Sequence, residues 1–76
     1  MNAKRRKRIQ ATLNILSEQL DLLEQLKDEE QEYVESIPEN LQGSERYEVA
    51  EEAAANLEEA YDLVNDAIEK LEEAML

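Results

Sequence analysis

The chain has 76 residues, of which 20 are Asp or Glu and 8 are Lys or Arg, so its formal net charge is −12. It contains neither Cys nor His, which removes disulfides, thiolate zinc sites, thiol nucleophiles and the commonest general base. Because no run of about 18 apolar residues exists, no membrane-spanning segment is predicted. We therefore expect one small soluble domain in a reducing, cytoplasmic compartment, with no enzymatic activity, no cofactor and no metal.

A basic segment of five consecutive residues lies near the start of the sequence: Lys4, Arg5, Arg6, Lys7 and Arg8. The residues after it are mixed in polarity, whereas a secretory signal has an apolar core, so no leader is predicted. No aromatic side chain stands near the segment for base stacking, and the acidic remainder of the chain would repel phosphate. We expect it to neutralise the acidic end of an opposing helix or to touch an acidic partner. Direct nucleic-acid binding is the least favoured of its roles.

A first amphipathic helix is predicted over about residues 3–36. Its large apolar residues step by four and three, the spacing of one helix face; they are Ile9, Leu13, Leu16, Leu20, Leu23 and Val34. A second set widens the apolar arc to about half of the circumference: Ile15, Leu22, Leu26 and Tyr33. One partner helix covers a narrower seam than this arc, so we assign the second set to an oligomer interface.

Two charged residues, Lys27 and Glu30, interrupt the apolar track of the first helix. In a hairpin they would lie near Ala54 and Ala50, where the small side chains leave room for a pair between Lys27 and Glu30. One interpretation is that they specify the register and the choice of partner, as buried polar positions can. The other is that the hairpin splays and hydrates towards its loop.

The stretch of residues 37–44 contains the only Pro and the only Gly of the chain. Pro38 disfavours helical dihedrals at the residue before it, so the first helix should end near Ser36. The residues after the proline can form a short helical turn. Gly43 suits a turn position with positive φ, and Ser44 can cap the second helix.

The second predicted helix covers about residues 45–75 and carries a heptad repeat of apolar residues: Ala50, Ala54, Leu57, Tyr61, Val64, Ile68, Leu71 and Met75. Beside this seam runs a stripe of alanines at seven-residue intervals: Ala53, Ala60, Ala67 and Ala74. A strict heptad is typical of coiled-coil-like packing. Small side chains let a further helix approach, so we assign the stripe to the oligomer interface, although alanine is also simply a strong helix former.

Two helices of similar length joined by a short connection predict an all-α fold, an antiparallel hairpin that comprises the whole chain, residues 1–76. Folding about the loop pairs residues whose numbers sum to about 81, which sets Leu13 against Ile68 and Ile9 near Leu71. A lone hairpin buries little surface. We therefore expect two copies to form a homodimer with the architecture of a four-helix bundle.

The acidic residues form the last feature, because residues 9–76 hold all 20 of them and only three basic ones, a net charge of −17. On the second helix we assign eight to a partner-binding face: Glu48, Glu51, Glu52, Glu58, Glu59, Asp62, Asp66 and Glu69. A hairpin about 48 Å long would carry one net charge per about 2.8 Å, against about 1.7 Å in duplex DNA. Either this rod mimics nucleic acid and occupies a basic groove of another protein, or the acids only keep the bundle soluble.

Three stretches carry a resemblance to a known family: the loop string PENLQGSERYE of residues 38–48, the basic segment, and NLEEA of residues 56–60. They resemble small acidic helical proteins encoded by prophages and conjugative elements of Gram-positive bacteria. The resemblance covers most of the chain and assigns no functional residues. It implies a bacterial host cell and a protein that binds a host or phage protein, for instance as an inhibitor of anti-phage defence. The alternative is a structural or assembly module that acts only through helical oligomerisation.

Overall fold

The computed structural model describes all residues, 1–76, as two long helices joined by a short 3₁₀ turn. Helix α1 spans Ala3–Ser36, the 3₁₀ turn spans Glu39–Leu41, and helix α2 spans Glu45–Ala74. The two helices pack against each other, and no strand is present. The predicted all-helical hairpin and its short turn after the proline are therefore confirmed, with the end of α2 one residue earlier than expected.

Local side-chain chemistry accounts for where the helices begin and end. The Asn2 side chain accepts a hydrogen bond of 2.7 Å from the Arg5 amide at the start of α1. The Ser44 hydroxyl accepts one of 3.2 Å from the Tyr47 amide at the start of α2, which confirms the predicted cap. At the end of α1, Ile37 is extended (φ −69°, ψ 125°), as expected for a residue before proline.

The prediction that Gly43 takes a positive φ is wrong, because no residue of the chain has one. The connection is built from successive right-handed turns instead. The Gln42 amide donates to the Glu39 carbonyl at 3.2 Å, and the Ser44 amide donates to the Leu41 carbonyl at 3.0 Å. Turns of this i to i+3 type run in the right-handed region, so a left-handed residue is not needed before α2 begins.

Replacing Gly43 with Ala is therefore expected to raise the free energy of unfolding by about 0.4–1 kcal/mol, since alanine restricts the unfolded chain more than glycine does. A Cβ atom at this position would meet no heavy atom within 4 Å. Urea denaturation followed by circular dichroism measures the change. Ser44→Ala is the control of opposite sign, with an expected loss of about 1 kcal/mol. A destabilised Gly43→Ala variant would show that Gly43 adopts positive φ in solution.

The buried core is small and lies along the seam between the helices. Six side chains are buried: Leu13, Val34, Ile37, Ala50, Ala54 and Ile68. Four of them form one cluster at the loop end of the hairpin, and Tyr47 packs against it. Towards the chain termini, Leu13 and Ile68 line one groove, and Ile9 and Leu71 line another. These pairs confirm the predicted antiparallel register.

The hairpin is a narrow rod with extents of 59 × 15 × 13 Å. Its loop end contains the connection between the helices, and its terminal end contains the first and last residues of the chain. Neither helix combines the length and the hydropathy of a bilayer-spanning segment. Because only six residues are buried, most of the surface remains available for contacts with other molecules.

Candidate functional site

One broad side of the hairpin exposes large apolar side chains that two helices cannot cover. On α1 their spacing of four and seven residues keeps them on one side of the helix. On α2, Val49 and Ala53 belong to the same side, because they line an open groove together with Tyr33. We term this surface the apolar face; it consists of Ile15, Leu22, Leu26, Tyr33, Val49, Ala53 and Ala60.

The four α1 residues assigned from the sequence to an oligomer interface are all exposed on the hairpin. Ile15 is 60% exposed, and the others are between 38% and 47% exposed. The alanine stripe behaves differently: Ala53 and Ala60 are half-buried, whereas Ala67 and Ala74 are exposed. A seven-residue stripe drifts by about 20° per repeat around an α-helix, so it moves from the seam into solvent along α2.

The sequence patterns did not single out two apolar residues of α2, Val49 and Leu63, each of which is 61% exposed in the structure. Val49 precedes Ala53 by four residues, and Leu63 follows Ala60 by three. Helical spacing therefore places both beside the alanine stripe. This spacing could have identified both residues from the sequence. Together they extend the exposed apolar surface along α2.

An arginine bridges the two helices at the loop end of the apolar face. The Arg46 Nε–H donates a hydrogen bond of 2.8 Å to the Tyr33 hydroxyl, and its guanidinium lies 5.7 Å from the centroid of the same ring. The groove around this contact is also lined by two carboxylates, Glu30 and Glu45. We term these two the loop-end carboxylates. This end of the face therefore combines apolar surface with unpaired negative charge.

Tyr47 closes the buried cluster from the α2 side. Burial, followed by the negative charge of Glu51, raises the pKa of Tyr47 above its usual value of 10.0. Both causes favour the neutral phenol, since burial and a nearby carboxylate each disfavour the phenolate. The contribution of this shift to stability is present below pH 10 and is lost as the pH rises through the raised pKa.

Lys27 and Glu30 do not pair with each other, so that part of the prediction is wrong. The Lys27 Nζ lies 5.3 Å from the centroid of the Tyr61 ring and 3.7 Å from Asp28 Oδ1. Helical side chains lean towards the N-terminus of their helix, which carries the Lys27 ammonium away from Glu30 and across the seam to α2. The splayed alternative is also wrong, because the four-residue buried cluster lies at the loop end.

The basic segment makes no ion pair with α2. The prediction that it neutralises the acidic end of α2 is therefore wrong. The chain contains two ion pairs, Lys27–Asp28 and Lys70–Glu73, and residues 4–8 are exposed. Arg5 and Arg8 instead line an open groove at the terminal end. Neither of the grooves that contain the carboxylates near the end of α2 includes a basic residue. The arginines and these carboxylates therefore lie on different sides of the rod.

The eight carboxylates assigned to partner binding are all exposed, and none takes part in an ion pair. Their spacing on α2 includes seven-residue repeats, such as Glu51 with Glu58 and Glu59 with Asp66, which keep them in register along the helix. They do not line the groove of the apolar face. We term this surface the acidic stripe; it consists of Glu48, Glu51, Glu52, Glu58, Glu59, Asp62, Asp66 and Glu69.

The acidic stripe can bind another molecule through its charge, and the apolar face can bind one through apolar contact. No group of three or more acidic side chains converges in a way that could hold a metal ion. No protein-family model, curated protein or solved structure matches the chain.

Proposed function

We propose that this chain is a non-enzymatic interaction module. Two hairpins join through their apolar faces into a four-helix bundle, and the acidic stripes of this homodimer bind a basic partner protein. The observation that carries the proposal is segregation: five of the exposed large apolar side chains share the apolar face, and no residue of the acidic stripe lines its groove. One surface therefore serves self-association while the other remains open to a partner.

The dimensions of the rod support the dimer. A face of 59 Å by 15 Å has an area of about 890 Å², and a stable interface buries about 800 Å² on each partner. Exposed apolar side chains that cluster on one side, as on the apolar face, commonly mark an interaction site. A second copy is the simplest occupant, because a two-fold axis lets one sequence cover its own apolar residues.

The charge distribution supports a basic protein as the second partner. All but one of the 20 acidic residues are exposed, and only Asp28 and Glu73 have a cation within 4.0 Å. A dimer would carry twice the net charge of −12, which accelerates encounter with a basic groove and makes it sensitive to salt. Such a groove is typical of a nucleic-acid-binding protein, and the resemblance to prophage proteins favours a host or phage protein in the bacterial cytoplasm, as in inhibition of anti-phage defence.

Reversing charge on the acidic stripe tests this function. In the test variant, four residues of the acidic stripe are changed to Lys: Glu58, Glu59, Asp62 and Asp66. The unmodified chain and the variant are each immobilised and incubated with host lysate at low salt, and mass spectrometry identifies the proteins that they retain. We expect the unmodified chain to recover a basic nucleic-acid-binding protein and the variant to lose it. The matched control reverses four exposed acids of α1: Glu18, Asp21, Glu24 and Glu32.

The control variant should keep the partner, since its total charge equals that of the test variant while its acidic stripe is intact. Equal loss in both variants would show that net charge alone governs binding. Recovery of no basic protein by the unmodified chain would favour the second candidate, an assembly module that acts only through helical oligomerisation. The apolar face supports that candidate equally, because it needs no acidic stripe.

A further inference from the structure

We infer that the two copies pack antiparallel, with the loop end of each hairpin on the terminal end of the other. In this arrangement Arg5 and Arg8 of each copy face the loop-end carboxylates, Glu30 and Glu45, of the second copy. The inference rests on the proposed dimer. It gives the basic segment acidic neighbours in the second copy, whereas within its own chain the segment makes no ion pair.

The apolar face is electrically polarised along its length. At the terminal end, Arg5 and Arg8 line an open groove. At the loop end, Glu30 and Glu45 line the open groove that contains Tyr33, together with Arg46. The two carboxylates outnumber the single guanidinium, so this groove is net negative. Arg8 precedes Ile15 by seven residues, and Leu22 follows Ile15 by seven. Because seven residues are close to two helical turns, Arg8 extends the exposed track of α1 towards the terminal end.

Symmetry leaves two ways to place one apolar face on another, since the two-fold axis must lie within the interface. An axis along the rod gives a parallel dimer, which would bring both basic segments, ten positive residues in all, to one end. It would also place the loop-end carboxylates of both copies together. An axis across the rod gives the antiparallel dimer, in which each end joins opposite charges. Opposite charges attract and like charges repel, so electrostatics selects the antiparallel arrangement.

The register of the apolar residues agrees with this choice. An antiparallel alignment that sets Ile15 opposite Leu26 pairs α1 residues whose numbers sum to 41. The same alignment sets Arg8 opposite Tyr33, which lines the groove of the loop-end carboxylates. One register therefore covers apolar side chains at the centre and matches arginine with carboxylate at both ends.

A single spin label at the loop end measures the orientation directly. The chain has no native Cys, so Asn40→Cys, an exposed position in the 3₁₀ turn, gives one label per copy. In the antiparallel dimer the two labels lie at opposite ends of a rod with a long axis of 59 Å. Double electron–electron resonance should then report a distance near that length. In a parallel dimer both labels would lie within about 20 Å, the width of a four-helix bundle.

The two failures are distinguishable. A short distance in a molecule with the mass of a dimer would overturn the antiparallel arrangement and leave the proposed dimer standing. A monomeric mass without dipolar coupling would overturn the dimer itself, and the inference with it.

A charge swap tests the facing pairs. Arg5→Glu with Arg8→Glu should weaken dimerisation about tenfold at low salt, and adding Glu30→Lys with Glu45→Lys in the same chain should restore it. The matched control is Arg6→Glu with Lys7→Glu, which makes the same change of charge at positions that do not line either groove. Equal weakening by test and control, or no rescue, would overturn the assigned contacts.

Discussion

Replacing Leu22 and Leu26 together with Asp is expected to convert the proposed dimer into a monomer. These side chains lie near the middle of α1 on the apolar face, where they are 47% and 41% exposed in the hairpin. Covering the exposed half of a leucine contributes about 1 kcal/mol. The two-fold axis doubles each substitution, so four sites lose about 4 kcal/mol, which weakens the dimer by about a thousandfold. Sedimentation equilibrium should show a change from twice 8.8 kDa to 8.8 kDa.

The matched control places the same two charges on the polar side of the same helix, as Asn14→Asp with Gln25→Asp. It should remain dimeric, because those positions do not belong to the apolar face. A milder variant, Leu22→Ala with Leu26→Ala, separates lost association from lost folding, since alanine favours the helix. It should weaken the dimer without lowering the helix content. A folded monomer at micromolar concentration for the unmodified chain would contradict the proposed dimer.

The second large effect is expected from Ile68→Ala, which should remove most of the stability of the fold. Ile68 is 7% exposed and shares a groove with Leu13, which is 5% exposed. Truncating a buried isoleucine to alanine costs about 2–5 kcal/mol. A chain of this length has a total stability of about 4–11 kcal/mol, and a core of six residues places it towards the lower limit. Thermal unfolding followed by circular dichroism measures the loss.

Leu76→Ala is the control for that experiment, since Leu76 is 98% exposed and its truncation should change stability by less than about 0.5 kcal/mol. Milder truncations, Leu13→Val and Ile68→Val, leave the chain folded, and the double variant that combines them tests the register itself. Residues in contact are coupled, so its destabilisation should differ from the sum of the two single changes. Strict additivity would mean that Leu13 and Ile68 do not face each other.

The helices, their limits and their register were predictable from the sequence because each depends on short-range rules. Pro38 excludes helical dihedrals at Ile37, and the hydroxyl of Ser44 lies where an N-cap is needed. The pairing of Leu13 with Ile68 follows once two rods of similar length turn back at one loop. The exposure of Ile15 was predictable as well, because a single neighbouring helix cannot cover an apolar arc of about 180°.

The partners of the long charged side chains were not predictable in this way. Lys27 had Glu30 and the opposing helix within reach, and the structure places it against Tyr61 and Asp28. Arg46 carried no assigned role, yet it bridges to Tyr33 at the loop end. The contacts of Lys27 with Tyr61 and of Arg46 with Tyr33 join the two helices. They depend on the rotation of one helix relative to the other, and residue spacing within a single helix does not specify that rotation.

The sequence by itself determined that this protein is a pair of amphipathic helices, where each begins and ends, and which residues oppose one another across the seam. Periodicity and caps act within a few turns, so they need no knowledge of the rest of the fold. Only the tertiary structure decided that Arg5 and Arg8 lie in a groove at one end while Glu30 and Glu45 line another at the opposite end. That polarity arises where two helices meet, because both helices contribute side chains to each groove.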